Sequence, residues 1–120
     1  MAGQSRKETG NRGEQLAMKY LLRLGFEIVE LNYRFGHGEI DIVARDGETL
    51  VFCEVKTRYN DEFGPPEFAL TPRKQQQIRK VAHGYLYEHS IENQECRFDV
   101  VTVRMQVTPP DVRYIRDAFS

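Results

Sequence analysis

The amino-acid sequence predicts an α/β protein, in which a mixed β-sheet is flanked by helices in the order αβββαβ with a fifth strand at the end. Two segments, residues 9–24 and from Pro72 past Leu86, carry apolar side chains at helical spacing. Several others alternate apolar and polar residues with the period of two that is typical of β-strands. Asp46 and Gly47 lie between two of those strands and favour a tight hairpin. Together these patterns predict helices packed against a sheet.

The first helix follows a polar N-terminal segment. Residues 1–8 show no periodicity, so we predict a flexible tail there and a single domain over residues 9–120. Thr9 or Asn11 is expected to cap the helix, because short polar side chains accept hydrogen bonds from the free N–H groups of the first turn. Gly25 follows the apolar stripe and is expected to end the helix as a C-terminal cap.

Three strands are expected next, separated by short turns. They cover residues 26–34, 39–45 and 49–56. The sequence Phe-Gly-His-Gly at 35–38 predicts the first turn, and Asp-Gly-Glu at 46–48 predicts the hairpin between the second and third strands.

The second half of the chain predicts a loop, a helix and two strands. Segment 59–70 contains a glycine and two prolines that cannot continue a strand, so a long ordered loop is expected. Thr71 is expected to cap the second helix, with Pro72 at its first position. The remaining strands are predicted at 96–104 and 112–119.

The composition excludes several classes of protein. The net charge is -1, from 17 basic and 18 acidic residues, so any argument for a nucleic-acid partner must be local. No apolar run approaches the roughly 20 residues of a membrane span, and the polar N-terminus lacks a signal-peptide pattern. We therefore expect a cytoplasmic protein that does not contact membranes. Cys53 and Cys96 lie far apart without a histidine at ligand spacing, which predicts reduced thiols rather than a zinc site.

One face of the third predicted strand begins apolar and ends charged. Two apolar residues are followed on that face by Glu54 and Lys56. The hairpin places Asp41 opposite residues 52–54, so its carboxylate can meet that of Glu54 across strands about 4.8 Å apart. Two convergent carboxylates suit a hard divalent ion such as Mg²⁺, with Mn²⁺ as an alternative. A neighbouring lysine can orient or deprotonate water, or neutralise a developing anion.

Glu14 of the first helix is a candidate third carboxylate. It lies about 20° around the helix from Leu21, at the margin of the apolar stripe. Gly13 lies near the centre of that stripe, where the lack of a side chain lets the helix approach the sheet. Glu14 can complete the acidic cluster directly or through a metal-bound water; alternatively, it only stabilises a helix N-terminus. Glu39, on the same side of its strand as Asp41, is expected to border the site.

These segments resemble a known family. The sequence "GEIDIVARDGETLVFCEVKTR" (38–58) is similar to the D…ExK core of the PD-(D/E)XK nuclease superfamily, with Asp41, Glu54 and Lys56 on its three positions. With "GNRGEQLAMKYLLRLGFEIVELNYR" before it and "ALTPRKQQQIRKVAHGYL" after it, most of the chain resembles the YraN-like family of small bacterial proteins. Members of that family are predicted endonucleases similar to archaeal Holliday junction resolvases.

The resemblance implies a restriction-endonuclease-like fold, dependence on Mg²⁺ and a DNA substrate. It implies that Asp41 and Glu54 bind the metal and that Lys56 serves the attacking water. Glu14 matches the glutamate of the resolvase first helix. The expected substrate is branched DNA or DNA that contains single strands, and cutting of a four-way junction would suit a two-fold homodimer.

Basic residues near the predicted site supply the local argument for nucleic acid. Arg73 and Lys74 open the second helix, where free backbone N–H groups also favour phosphate. Such contacts give affinity without reading base sequence. The candidate nucleic-acid-binding residues are Arg12, Arg34, His37, Arg58, Arg73 and Lys74. The sequence shows no evident aromatic stacking platform, and a solvated helix surface is the alternative for the cations of this helix.

The sequence therefore predicts a metal-dependent, structure-selective DNA endonuclease that hydrolyses phosphodiester bonds, as a Holliday junction resolvase does. The alternative is a non-catalytic nucleic-acid-binding accessory protein of DNA repair or recombination, which keeps the fold and the acidic pocket. Metal-independent RNA cleavage is disfavoured, because no histidine is suitably placed.

Overall fold

The computed structural model describes residues 6–59 and 70–120, with side chains from residue 12 onward. Its elements are α1 (Arg6–Arg23), β1 (Glu27–Phe35), β2 (Gly38–Asp46), β3 (Thr49–Arg58), α2 (Pro72–Glu88), β4 (Cys96–Arg104) and β5 (Asp111–Phe119). This order confirms the predicted fold class, including the fifth strand. The arrangement is compatible with a restriction-endonuclease-like fold.

All five strands form one sheet in the order β1-β2-β3-β4-β5. The pair β3 and β4 is parallel and is connected through α2, whereas the other neighbours are antiparallel, so the sheet is mixed. Because β3 lies at the centre of the sheet, its residues from Leu50 to Glu54 are buried.

Helix α1 begins at Arg6, three residues before the predicted cap at Thr9. Arginine, lysine and glutamate are favourable helix residues, which accounts for the extra turn. The predicted tail over 1–8 therefore overlaps the helix at its last three residues, and residues 1–5 lie outside the described part of the chain. The helix ends as predicted: the N–H of Gly25 donates to the carbonyl of Leu22 (3.0 Å), and that of Phe26 donates to Leu21 (3.1 Å).

The predicted turns and the second helix are confirmed. Asp46 pairs with Thr49, which leaves a two-residue hairpin whose first position is Gly47 with φ 61°. The Thr71 hydroxyl accepts a hydrogen bond from the Lys74 N–H at 3.1 Å, and Pro72 occupies the first turn of α2. The loop predicted over 59–70 falls, apart from its two end residues, outside the described residues.

The two helices pack on opposite faces of the sheet, each over its own apolar cluster. The α1 cluster includes Ala17, Leu21, Ile42, Ala44, Val51 and Val101. The α2 cluster includes Tyr33, Ile40, Val43, Phe52, Ile78 and Val81. No helix within the described residues is long and apolar enough to cross a membrane.

Helix α1 approaches β3 closely at Gly13, as the sequence predicts. A Cβ atom at this position would lie 2.3 Å from the Thr57 hydroxyl oxygen. Only glycine permits this distance between the helix and the sheet, and the approach brings the neighbouring Glu14 to the end of the sheet.

Candidate functional site

Asp41 lies where the hydrogen-bond ladder between β2 and β3 ends. The last registered pair is Ile42 with Cys53, and continuing the register by one residue places Asp41 opposite Glu54. Asp41 Oδ2 accepts a hydrogen bond from the backbone N–H of Val55 at 2.8 Å. At this point the Asp41 side chain, rather than the β2 backbone, accepts the hydrogen bond from β3. This bond fixes the Asp41 carboxylate beside Glu54.

The carboxyl groups of half-buried Asp41 and buried Glu54 form a hydrogen-bonded pair. Only 9% of Glu54 is exposed, and its carboxyl group shares a hydrogen bond with Asp41. Burial raises the pKa of Glu54 to about 8, and the negative charge of Asp41 adds to the rise. Burial also raises the pKa of Asp41, although the bonds from Val55 and Glu54 favour its charged form. Burial therefore favours retention of a proton by the pair in the folded protein.

Lys74 provides a cation at this pair. Its Nζ lies 3.5 Å from Glu54 Oε2, and its charge lowers the pKa of both carboxyl groups. Because Lys74 lies in the first turn of α2, the helix start is oriented toward the carboxylates. The sequence predicts Lys74 as a phosphate contact; the structure places it first as the counter-ion of Glu54.

Glu14 borders the same pair from the α1 side. Burial is the largest cause that raises the pKa of Glu14, and the negative charge of Asp41 raises it further. The side-chain amide of Asn32, oriented to satisfy both neighbours, donates to Glu14 Oε1 at 3.1 Å and to Glu39 Oε2 at 3.2 Å. Asn32 has φ 54°, an uncommon conformation for a residue other than glycine. The amide thus holds two carboxylates next to Asp41.

Lys56 follows Glu54 by two residues along the regular part of β3, so both side chains lie on the same face. It is half-buried and stands in register with Thr102 of β4. The Thr102 hydroxyl oxygen is fully buried and has no hydrogen-bond partner among the described residues. A water molecule or an anionic oxygen bound beside Lys56 would satisfy it. Arg58, two residues further, is half-buried at the end of the strand.

The carboxylate pair fits a divalent metal ion by its chemistry. Asp41 and Glu54 present convergent oxygens, and Mg²⁺ is commonly held by one or two carboxylates together with water. Within residues 6–59 and 70–120, no group of three or more acidic, histidine or cysteine side chains is compact enough to hold an ion. The role of Glu14, as a direct ligand or through a metal-bound water, stays a prediction.

The remaining predicted nucleic-acid contacts fall into three places. Arg34 pairs with Glu39 at 3.7 Å and so lies beside the carboxylates. His37 and Arg73 line a cavity of about 550 Å³ between the β1–β2 turn and α2. Arg12 is exposed on α1.

Sequence reasoning missed Asn32 and Thr102. Asparagine is disfavoured inside strands, so its presence in β1 was the available signal for a special role. Thr102 is a polar residue within the apolar run of β4, which is a comparable signal. Neither pattern indicates which groups the side chain contacts, because those partners lie on elements distant in sequence.

The fold and the site define a mixed α/β protein with an acidic pocket, compensated by a lysine, at the end of its central strand. Residues 13–103 match the Uncharacterised protein family UPF0102, and the chain belongs to that family. The family-level expectation from the sequence is thereby confirmed.

Relatives with the same family name match along nearly their whole length. A UPF0102 protein of Syntrophus aciditrophicus is 46% identical over 112 residues, covering 93% of this chain and 88% of the relative. One of Geobacter metallireducens is 45% identical over 114 residues, with 95% and 93% covered. One of Dehalococcoides mccartyi is 42% identical over 116 residues, with 97% and 96% covered.

Proposed function

We propose that this protein is a metal-dependent DNA endonuclease of the PD-(D/E)XK type. Its expected substrate is branched DNA or DNA that contains single strands. The observation that carries the proposal is the convergence of Asp41 and Glu54 at the end of the central strand, with Lys56 on the same face. A surface ladder of charges would not be buried in this way, because burying unsatisfied carboxylates is costly.

Asp41 and Glu54 would hold Mg²⁺ or Mn²⁺, which when bound supplies a Lewis acid for the scissile phosphate and lowers the pKa of water. Glu54 must lose its proton to do so, and the Lys74 ammonium assists because it favours the charged carboxylate. Lys56 would position the attacking water and stabilise the extra negative charge of the pentavalent transition state. The new bond joins the water oxygen to phosphorus, and the 3′-oxygen leaves with a proton, giving 5′-phosphate and 3′-hydroxyl ends.

A non-catalytic accessory protein of repair or recombination is the second candidate. The contact between Lys74 and Glu54 favours it, because a lysine that neutralises the carboxylate permits a stable fold without a metal ion. Both candidates share the DNA partner and differ in whether cleavage occurs.

The deciding experiment incubates the purified full chain with single-stranded, duplex, flapped and four-way-junction DNA, in Mg²⁺, in Mn²⁺ and in chelator. We expect metal-dependent cleavage of branched or flapped DNA. Lys56→Ala should slow cleavage about 100-fold or more while DNA binding survives, since a lysine that acts in the transition state contributes little to ground-state binding. Lys19→Ala, on an exposed part of α1, is the matched control.

Two results would contradict the nuclease proposal. Cleavage that persists in both Lys56→Ala and Glu54→Ala would indicate a contaminating enzyme. Intact DNA binding without cleavage of any substrate would favour the accessory protein.

A further inference from the structure

A groove runs along the exposed side of α2, beginning at Arg73, the residue before the lysine that contacts Glu54. Two cavities of about 550 and 580 Å³ adjoin here and share Phe35, Gln76 and Lys80 as lining residues. The first also reaches Arg73, and the second reaches Tyr87. We call this surface the α2 groove. From Arg73 to Tyr87 it spans about 21 Å along the helix, at 1.5 Å per residue.

Two glycines bring the β1–β2 turn into direct contact with α2 and so form one wall of the groove. A Cβ at Gly38 would lie 2.5 Å from Val81 Cγ2, and a Cβ at Gly84 would lie 2.2 Å from Phe35 Cγ. The Phe35 ring therefore rests on the helix backbone, yet 38% of the residue stays exposed. The groove thus contains the aromatic ring of Phe35, which the backbone of α2 holds in place.

The α2 groove is positively charged. Helix α2 has no acidic residue before Glu88, and no carboxylate of the described residues lines either cavity. Arg73 and Lys80 are exposed and form no ion pair within the described part of the chain. Arg79 is different, because it donates to the Ser120 carbonyl at 2.7 Å. In a chain of net charge -1, this segregation of cations fits an anionic polymer.

Exposed aromatic rings in the α2 groove indicate which class of anionic polymer it fits. Tyr87 is 83% exposed at the far end of the groove, and Phe35 lies between it and Arg73. Unpaired bases stack on aromatic rings in a sequence-tolerant way, whereas the bases of a duplex are already stacked on each other. An acidic peptide would use the cations but would gain little from the rings.

We infer that the α2 groove binds a single strand of nucleic acid, with phosphates at Arg73 and Lys80 and bases against Phe35 and Tyr87. The inference extends the proposed function and rests on it for the direction of the strand, since Arg73 adjoins the lysine that contacts Glu54. A strand in the groove would lead to the carboxylate pair. The aromatic platform not evident from the sequence is thereby supplied by residues on two distant elements.

The test measures binding in chelator, so that no cleavage is needed. Fluorescence anisotropy compares a labelled thymidine oligonucleotide with a blunt duplex over a range of salt concentrations. Tyr87→Ala should weaken single-strand binding about fivefold or more and leave duplex binding unchanged, while Tyr87→Phe should bind as the wild type does. Lys80→Ala should weaken single-strand binding and reduce the salt slope by about 0.7, whereas Lys19→Ala should change neither.

Several outcomes would overturn the inference. Wild-type affinity in both Tyr87→Ala and Lys80→Ala would remove the groove from the binding surface, and equal losses in Tyr87→Ala and Tyr87→Phe would exclude stacking. Binding of poly-glutamate but not of the oligonucleotide would identify an acidic protein partner instead. If the protein cleaves DNA but Tyr87→Ala and Lys80→Ala bind single strands as the wild type does, the proposed function stands and the groove inference fails. If the protein binds single strands through Tyr87 but cleaves no DNA, the groove inference stands and the nuclease proposal fails.

Discussion

Glu54 is the residue on which the chemistry and the stability of the site most depend. It is buried beside a second carboxylate. The Lys74 ammonium, with Nζ 3.5 Å from Glu54 Oε2, offsets the negative charge only in part. The arrangement opposes ionisation in the folded protein, which is why the pKa is raised to about 8. A site of this kind is maintained at a cost in stability, and the cost depends on pH.

The first prediction is the sign of that dependence. The folded protein binds the Glu54 proton more tightly than the unfolded chain does, so its contribution is full below about pH 4.5 and is lost as pH rises toward 8. The fall has a slope of at most about 1.4 kcal/mol per pH unit for one proton. Glu54→Gln should remove this slope and be more stable than the wild type at pH 8, as measured by urea unfolding.

Glu48→Gln serves as the control, because Glu48 is exposed in the β2–β3 hairpin. It should follow the wild-type pH dependence. Parallel curves for Glu54→Gln and the wild type would show that Glu54 does not retain a proton in the folded protein.

Asn32 combines an uncommon backbone conformation with a bridge between two carboxylates. Two variants separate these roles. Asn32→Gly removes both the amide and the Cβ, whereas Asn32→Ala removes the amide but keeps a Cβ in the left-handed region. We expect Asn32→Ala to be about 1–2 kcal/mol less stable than Asn32→Gly in urea unfolding. Equal stability of the two would mean that φ at this position relaxes freely.

At the scale of elements, the site depends on how closely α1 packs on β3. Gly13→Ala tests this, because alanine raises helix propensity by about 1 kcal/mol but its Cβ would meet the Thr57 hydroxyl at 2.3 Å. We expect the clash to prevail, with a net loss of about 1–2 kcal/mol in thermal or urea unfolding. The β-branched side chain of Thr57 has few alternative rotamers with which to avoid it.

Thr57→Ala provides the matching second variant, since it removes both atoms nearest the new methyl group. Gly13→Ala added to Thr57→Ala should cost nothing or should stabilise, so the double-mutant cycle should show strong coupling. Additive effects would mean that the new methyl group does not meet the Thr57 side chain.

The same scale shows what the sequence could predict about the site. The short hairpin at Asp46–Gly47 restricts the register of β2 and β3 to within a residue or two, and this is enough to bring Asp41 to Glu54. The contact of Lys74 with Glu54 was not predictable, because it depends on how α2 packs against a strand from which it is separated in sequence. The bridge at Asn32 joins three elements, and no local pattern encodes it.

For the whole molecule, periodicity and turn residues were sufficient for the element order, since the turns and the cap at Thr71 satisfy local rules. The sequence pattern places the start of α1 three residues too late, because the first turn contains no apolar residue to mark it. The α2 groove was invisible to pattern analysis for a different reason. Phe35 lies at the end of β1 and Tyr87 lies in α2. They line the same groove only because the Phe35 ring packs closely on Gly84.

The last prediction concerns metal and global stability. A ligand that binds only the folded state stabilises it by mass action, by about 2.7 kcal/mol at one hundred times its Kd. Mg²⁺ or Mn²⁺ at millimolar concentration should therefore raise the melting temperature of the wild type, because the ion offsets the repulsion within the carboxylate pair. Asp41→Asn should abolish the rise, since it removes one of the two anionic ligands.

Lys74→Met sharpens the test, because Lys74 and the ion compete for Glu54. Without metal the variant should melt below the wild type at neutral pH, since the lysine favours the charged carboxylate. With metal its gain should exceed that of the wild type, as the competing cation is gone. Lys19→Met should behave as the wild type in both conditions. A wild-type melting temperature that does not respond to either ion, with Lys74→Met equally unresponsive, would mean that the lysine is the permanent counter-ion of this pocket and would favour the accessory protein.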